Sequence, residues 1–583
     1  MTHMSATDAA VQVMLDEGVD IVFGIPGAAI LPLYQSILKV GKIRHYIVRH
    51  EEGGTHAADG YARATGKVGI MIGTSGPAGT NMITGLYTAT ADSIPLICIT
   101  GQAPTAVQHK EAFQAVDIVG CATPVTKWSV MVKEAAQIPG VFRQAFRIAQ
   151  DGRPGAVLID LPLDVQRGFL EYDPSVDMPL PRTKPAPSTV AIERALDMLL
   201  TAQRPLLMLG GGVISANATE EFRTLAEYLN IPVTITLMGK GGFPEDHPLY
   251  AGIAGIQTQT RYGNQILLES DLVLAVGARF ADRHTGDLSV YRGKRTFIQI
   301  DIEATQIGRV FPPDLGIVAD AKLALQALLE QAQARAIDEI RFTSWTERVI
   351  ELRSTLERRT DFTETPIKPP RVFKEINEFF GRETIFVTAI GLYQIWSGQF
   401  QKSYQPRHYM VCGQAGPLGW ETPACIGVKL ARPDKQVVGI VGDYSFQFLM
   451  EEIAVAVQYR VPFVLVMINN SYMGLIRQSE LSYAMNYAVD LSYQVGNDDG
   501  SLTNYEAGIN HVKIMEAMGG LGRLVTQPED IRAALAWATH ESEIRRLPVL
   551  VEIAVEREAN AAMGAALNAI KEFEPLPEEM VNA

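Results

Sequence analysis

Short runs of β-branched and aliphatic residues alternate along this chain with longer stretches whose apolar positions recur at helical spacing. The short runs predict strands over 68–72, 96–100, 205–209, 272–276, 437–441, 463–468 and 549–555. Residues 1–24 read as a short amphipathic helix leading into the strand Ile21-Val22-Phe23, and 446–459 carries Phe446, Leu449, Ile453 and Val457 on one helical face. Such alternation is the pattern of βα units on largely parallel sheets, so the expected fold class is α/β. Two proline-rich stretches, 173–188 and 363–371, interrupt it and read as linkers. The 583 residues exceed what one core can organise, and the linkers divide them into three expected doubly wound domains, 1–175, 189–345 and 371–583. A polar stretch at 495–504 reads as a mobile loop.

Charge and composition narrow the partners. Lys and Arg total 51 against 65 Asp and Glu, a net charge of −14 that argues against non-specific nucleic-acid or anionic-membrane binding. No apolar run approaches the ~18 residues of a membrane span, and the N-terminus lacks a basic region followed by an apolar signal core. A soluble, cytoplasmic protein is expected. Cys98, Cys121, Cys412 and Cys425 show no CxxC spacing and read as buried reduced thiols. Residues 60–67 end in Gly-Lys, yet the glycine spacing and Val68 do not fit a nucleoside-triphosphate loop.

The strongest chemical signal lies in the last third. Strand 437–441 ends on Gly442-Asp443, a helical stretch follows, and strand 463–468 ends on Asn469-Asn470. A right-handed crossover places both strand ends at one sheet edge, where doubly wound folds bind ligands. Mg²⁺ takes oxygen ligands shared among side chains, water and phosphates, and Asp443 and Asn470 can supply two. Gly442-Asp443 followed by Asn469-Asn470 resembles the signature of thiamine-diphosphate enzymes, with Tyr444 where the family usually has glycine. The resemblance implies Mg²⁺ ligation by Asp443, Asn470 and the backbone carbonyl of Tyr472. It also implies thiamine-diphosphate contacts from Gly391, Leu392, Tyr393, Gly416, Ser445, Leu475 and Ile476, with Leu418 as the apolar wedge that bends the cofactor.

In the first third, Arg49-His50-Glu51-Glu52-Gly53 and His56 to Gly66, then Gly73-Thr-Ser-Gly-Pro-Ala-Gly-Thr-Asn81 and Ala112-Phe113-Gln114, resemble the pyrimidine-binding domain of the acetohydroxyacid synthase family. The resemblance assigns Glu51 as the acid that activates the aminopyrimidine ring, and a glutamate in a water-poor pocket rises above its reference of about 4.3, which suits that proton exchange. It implies a cofactor shared between subunits of a homodimer or homotetramer, and it makes 371–583 the Mg²⁺/diphosphate-binding domain.

The middle third holds Gly210-Gly211-Gly212 after a strand, Thr236-Leu237-Met238, Gly277 to Gly286 with Arg279 and Arg283, and Asp301-Ile302. Glycine turns let backbone N–H groups reach a diphosphate, arginines neutralise it, and an acid at a strand end accepts ribose hydroxyls; Asp301 and Asp320 suit that role. Together with Arg153, these residues resemble the central domain of the same family, which holds FAD as a structural cofactor.

The whole chain, through Met473-Gly-Leu-Ile-Arg-Gln-Ser479, resembles the glyoxylate carboligase branch. Ser479 and Glu480 fill the region where acetohydroxyacid synthases carry a tryptophan. The implied reaction is decarboxylative condensation of two glyoxylates to tartronate semialdehyde and CO₂ through the C2 ylide of thiamine diphosphate. The substrate pocket is expected from Phe113, Gln114, Ile390, Leu475 and Ile476, whose apolar members favour loss of a charged carboxylate. Glyoxylate carboligases characteristically place valine at the position of Glu51, so two alternatives stay open: a ligase of the acetohydroxyacid synthase type using pyruvate or another 2-ketoacid, and a flavin-using 2-ketoacid oxidase.

Overall fold

The computed structural model describes residues 1–337, 342–485, 491–492 and 509–573. The loop expected at 495–504 lies outside the described residues. Three six-stranded parallel sheets carry the architecture, each flanked by helices. The N-terminal sheet runs Arg44–Ile47, Ile21–Gly24, Gly69–Gly73, Leu96–Gln102, Ala156–Pro162, Trp128–Met131. The C-terminal sheet repeats that winding as Tyr409–Val411, Ile385–Thr388, Val437–Gly442, Phe463–Asn469, Pro548–Ala554, Leu521–Val525. In the middle sheet the order is Tyr250–Ile253, Val233–Ile235, Pro205–Leu209, Leu272–Val276, Thr296–Asp301, Leu315–Val318. Each sheet winds outward in both directions from one adjacent pair, Ile21–Gly24 with Gly69–Gly73, Pro205–Leu209 with Leu272–Val276, and Ile385–Thr388 with Val437–Gly442, and a crevice opens there at the carboxyl ends of the strands. In the two terminal sheets the last two strands also swap order.

The seven strands expected from the apolar runs all form, with ends shifted by a residue or two. Four local readings differ. Thr2–Ser5 pairs antiparallel with Phe169–Tyr172, a strand that polar Thr-His-Met-Ser does not announce because long-range pairing makes it. The helix expected over 446–459 is two short helices, Asp443–Phe446 and Glu452–Gln458. Between them Leu449 takes φ +54° and Phe448 crosses so close over Gly419 that a Cβ there would lie 2.6 Å from it. The helix Thr343–Leu356 runs through the expected domain limit at 345, because Trp345, Val349 and Leu352 pack into the middle core and the Trp345 indole donates to the Pro205 carbonyl at 2.9 Å. Pro369 and Pro370 of the second proline-rich stretch open the helix Pro369–Phe379, where proline's missing N–H costs nothing.

The middle unit has its own core, whereas one apolar cluster runs through both the N- and C-terminal units. The seam is the pair of helices Glu51–Thr65 and Glu421–Ala431, which meet backbone to backbone. A Cβ on Gly427 would lie 1.8 Å from the Ala57 carbonyl oxygen, and one on Gly60 2.5 Å from that of Ala424. Gly60 is thus a helix-contact residue inside Glu51–Thr65 and has no phosphate-loop geometry. At the same seam buried Arg63 donates to Asp59 and Asp92, Trp420 donates to Asp59, and Asp92 accepts the Gly413 and Gln414 N–H groups. Cys98, Cys412 and Cys425 are buried free thiols, but Cys121 is exposed, at the end of a short surface helix. Among the described residues no helix is long and apolar enough to cross a membrane.

Candidate cofactor and active site

At the C-terminal crevice, Val437–Gly442 and Phe463–Asn469 are adjacent, with Gly442 beside Ile468, so Asp443 and the Asn469–Asn470 pair leave the sheet together. Asp443 is buried, and its carboxylate accepts the Ser471 N–H at 2.5 Å and the Tyr444 N–H at 2.9 Å. Asn470 commits its amide N–H to the Arg557 carbonyl at 3.2 Å, which turns the amide oxygen the other way. Ser471 takes φ +53°, and Asn469 steadies this turn by accepting the Ser471 N–H at 2.8 Å while donating to Glu552 at 2.6 Å. The Arg557 guanidinium stacks over Tyr472. No group of three or more His, Cys, Asp or Glu forms a metal cluster among the described residues. A divalent ion here would instead rest on one carboxylate, one amide oxygen and one carbonyl, leaving its other positions to phosphate and water, which suits Mg²⁺.

Across the crevice, Gly391 (φ +149°) caps the helix Leu392–Phe400, whose free N–H groups suit a diphosphate. Ile390 lies against Gly416 (φ +61°). Leu475 is partly buried against the C-terminal core, and Ile476 is 46% exposed.

At the N-terminal crevice, Glu51 begins the helix Glu51–Thr65, capped by His50. Its carboxylate accepts from the Asn81 amide at 2.9 Å, and beside it Ser75 donates to Gln114 at 3.1 Å. Tyr34 shares a 3.0 Å hydrogen bond with His45; burial holds that imidazole down to about 4, hence neutral at pH 7, and burial plus the charge of Glu51 pushes the Tyr34 hydroxyl up. Glu452 reaches over from the C-terminal unit to accept the Arg49 and His50 N–H groups, each at 2.9 Å. Phe113 is 86% exposed. No hydrogen bond among the described residues joins the Glu51, Asn81, Ser75 and Gln114 group to the Asp443 and Asn470 group.

Between the three units lies a cavity of about 370 Å³. Arg153, Gly211, Gly212, Thr236, Leu237, Met238, Gly277, Arg279, Arg283, Asp301, Ile302 and Asp320 all line it. Gly277 takes φ +61°, and a Cβ on Gly212 would lie 2.7 Å from the Gly277 Cα, so this turn admits only glycine and leaves the backbone open to a ligand. Arg153 and Arg279 both donate to the Ala91 carbonyl, and burial beside another guanidinium lowers the pKa of Arg153. Two cations held together in a cavity favour an anion between them. Asp301 is raised by burial and accepts the Glu303 N–H at 2.9 Å, while Asp320 caps the helix Ala321–Ala334. The lining fits a flavin dinucleotide: glycine turns and arginines for its diphosphate, acids for its sugar.

Comparison with known proteins bears on these crevices directly. Three family models match in order: thiamine pyrophosphate enzyme, N-terminal TPP binding domain, over residues 4–121; central domain, over 192–328; and C-terminal TPP binding domain, over 389–553. The chain is 49% identical over 586 aligned residues to a glyoxylate carboligase of Escherichia coli O157:H7, covering 100% of this chain and 98% of that protein. The chain belongs to the thiamine pyrophosphate enzyme family. A probable acetolactate synthase large subunit of Methanocaldococcus jannaschii is 36% identical, covering 95% and 92% of the two chains, and the acetolactate synthase large subunit of Corynebacterium glutamicum is 36% identical, covering 96% and 88%.

Within this family frame, the structure gathers Asp443, Asn470, Tyr472, Gly391, Leu392, Tyr393 and Ser445 at one sheet edge and all twelve central-domain residues around one cavity. The five expected substrate-pocket residues are divided: Phe113 and Gln114 belong to the N-terminal unit, Ile390, Leu475 and Ile476 to the C-terminal one. Residues not singled out from sequence include Arg407, which lines the cavity, and Glu421, buried behind Tyr393 and Ser445. A lone acid opening the apolar helix Glu421–Ala431 was the available signal for the second.

Proposed function

We propose that this chain is a thiamine-diphosphate-dependent carboligase that condenses two glyoxylates to tartronate semialdehyde with loss of CO₂. The observation that carries this reading is the 49% identity to a glyoxylate carboligase along 100% of the chain. Asp443, Asn470 and the Tyr472 carbonyl would hold Mg²⁺, and the helix start at Gly391–Tyr393 the diphosphate. Bound thiamine diphosphate supplies a nucleophilic carbon and an electron sink for decarboxylation. Glu51 holds and exchanges a proton at the aminopyrimidine nitrogen, steadied by Asn81. Ile390 and Leu475 exclude water beside the departing carboxylate, which favours a neutral product. FAD would be held in the central cavity by Arg153, Arg279 and its glycine turns as a structural group.

Because Glu51 and Gln114 are bonded apart from the Asp443 cluster, and Phe113 is exposed, the active site forms between two copies in a homodimer or homotetramer. A second reading rests on the glutamate at position 51 and the acetolactate synthase relatives: a ligase of pyruvate or another 2-ketoacid. Purified protein with thiamine diphosphate, Mg²⁺ and FAD, given glyoxylate or pyruvate separately, tests both. Tartronate semialdehyde from glyoxylate supports the proposal, and acetolactate from pyruvate with no glyoxylate product replaces it with the second reading. Anaerobic bleaching of the flavin by a 2-ketoacid would point to an oxidase instead.

A further inference from the structure

Glu421 is fully buried, at the first position of the helix Glu421–Ala431. Among the described residues it has no ion pair; its side-chain partners are two hydroxyls, beside a backbone N–H at the helix start. Tyr393 donates to Oε1, and Ser445 lies 3.1 Å from Oε1 and 3.0 Å from Oε2. Burial pushes this carboxyl up to about 7. A buried acid without a cation is costly, and the start of a helix offsets only part of that cost.

Its two partners stand at the cofactor crevice. The Tyr393 ring packs between the ends of adjacent strands, where a Cβ on Gly391 would lie 2.4 Å from it and one on Gly442 2.6 Å. Ser445 follows Asp443 by two residues, and its hydroxyl accepts the Gly419 N–H at 2.9 Å. One carboxyl therefore ties together the helix start, the segment after Asp443 and the turn that carries Leu418.

We propose that Glu421 is a positioning residue that pre-organises the diphosphate crevice by anchoring Tyr393 and Ser445 from behind. The proposal rests on the thiamine-diphosphate reading of this crevice. Glutamine at 421 keeps an amide oxygen that can accept from both Tyr393 and Ser445, as Oε1 does, whereas alanine keeps no acceptor.

Thiamine diphosphate binding to the cofactor-stripped full-length protein, with Mg²⁺ present, is followed by tryptophan fluorescence for wild type, Glu421→Gln, Glu421→Ala and Tyr393→Phe, together with turnover at saturating cofactor. Glu421→Ala is expected to weaken binding at least tenfold while turnover at saturation stays within about threefold; Glu421→Gln should bind within about threefold of wild type, and Tyr393→Phe should bind at least threefold more weakly. Equal binding by wild type and Glu421→Ala overturns the role, as does Glu421→Gln failing as badly as Glu421→Ala. If Glu421→Ala does not fold, wild-type affinity in Tyr393→Phe overturns it. Failure of wild type itself to bind thiamine diphosphate would refute the cofactor assignment instead.

Discussion

Replacing Asp443 by alanine or asparagine separates what this residue does for the fold from what it does for a metal. Asp443 is buried, and its carboxylate accepts two N–H groups, that of Ser471 at 2.5 Å and that of Tyr444 at 2.9 Å. Ser471 is 5% exposed, so in Asp443→Ala its N–H loses its carboxylate acceptor in a place water scarcely reaches. The Ser471 N–H keeps Asn469 as an acceptor at 2.8 Å, so what is lost is a hydrogen bond to a charged group, about 1.5–3 kcal/mol, and Tyr444, being partly open, adds little. Asp443→Ala should therefore destabilise the cofactor-free protein by about 2 kcal/mol. Asp443→Asn retains an oxygen for Ser471 and should cost under about 1 kcal/mol. Both variants lose the anionic oxygen that would face Mg²⁺, so both should bind thiamine diphosphate with Mg²⁺ on the order of 100-fold more weakly, about 2.7 kcal/mol. Denaturant unfolding of the cofactor-free proteins, and thiamine diphosphate titrations at fixed Mg²⁺, measure the two quantities independently. Wild-type affinity in Asp443→Asn would refute the metal role; equal stability of the alanine and asparagine variants would refute the account of the Ser471 hydrogen bond.

Four further outcomes are expected. Gly427→Ala places a methyl 1.8 Å from the Ala57 carbonyl and should destabilise the protein by at least ~2 kcal/mol, seen as a lowered unfolding midpoint; an unchanged midpoint would contradict the backbone-to-backbone helix contact. Arg279→Ala should lose most of the flavin absorbance near ~450 nm on purification, and full flavin retention would show that the arginine pair does not hold the diphosphate. The carboxyl of Glu452 is raised by burial from 4.5 to about 7, so the folded chain binds its proton more tightly than the unfolded chain does, and stability is lost as pH rises through about 7. Glu452→Gln should remove a loss on the order of 3 kcal/mol between pH 4.5 and 8, flattening the pH dependence of the unfolding midpoint; an equal slope in both proteins would count against it. Glu51→Gln should slow exchange of the thiazolium C2 proton at least ~10-fold by NMR, and unchanged exchange would remove Glu51 from cofactor activation.

The parallel strands were legible because each is a short apolar run buried on both faces, a signal that needs no tertiary information. Asp443 and Asn470 were legible because the crossover rule converts two separated strand ends into neighbours, and Gly442 beside Ile468 is that adjacency. The break at Leu449 was not, because its apolar spacing is helical and only Phe448 crossing Gly419 interrupts it. Thr2–Ser5 was hidden for the same reason, its partner lying at Phe169–Tyr172. Glu421 escaped because its importance lies in Tyr393 and Ser445, both distant in sequence.

The two crevices of one chain complement each other. The C-terminal crevice offers Asp443 and Asn470 at the proposed metal edge and a helix start that suits a diphosphate, and among the described residues it has no acid placed as Glu51 is. The N-terminal crevice offers Glu51 with Asn81, a neutral His45 and an exposed Phe113, and among the described residues it shows no matching set of oxygen ligands. The helices Glu51–Thr65 and Glu421–Ala431 lock the two units at a seam of glycines and buried charges, where Gly60 and Gly427 leave no room for sliding. Motion of one unit over the other is thereby opposed by the close helix contact and the Asp59–Arg63–Asp92 network. In the proposed assembly, a second copy would present its own N-terminal crevice to this C-terminal one and cover Phe113 without disturbing that network. If assembly completes the site in this way, dilution that dissociates the proposed oligomer should abolish turnover before it unfolds either unit.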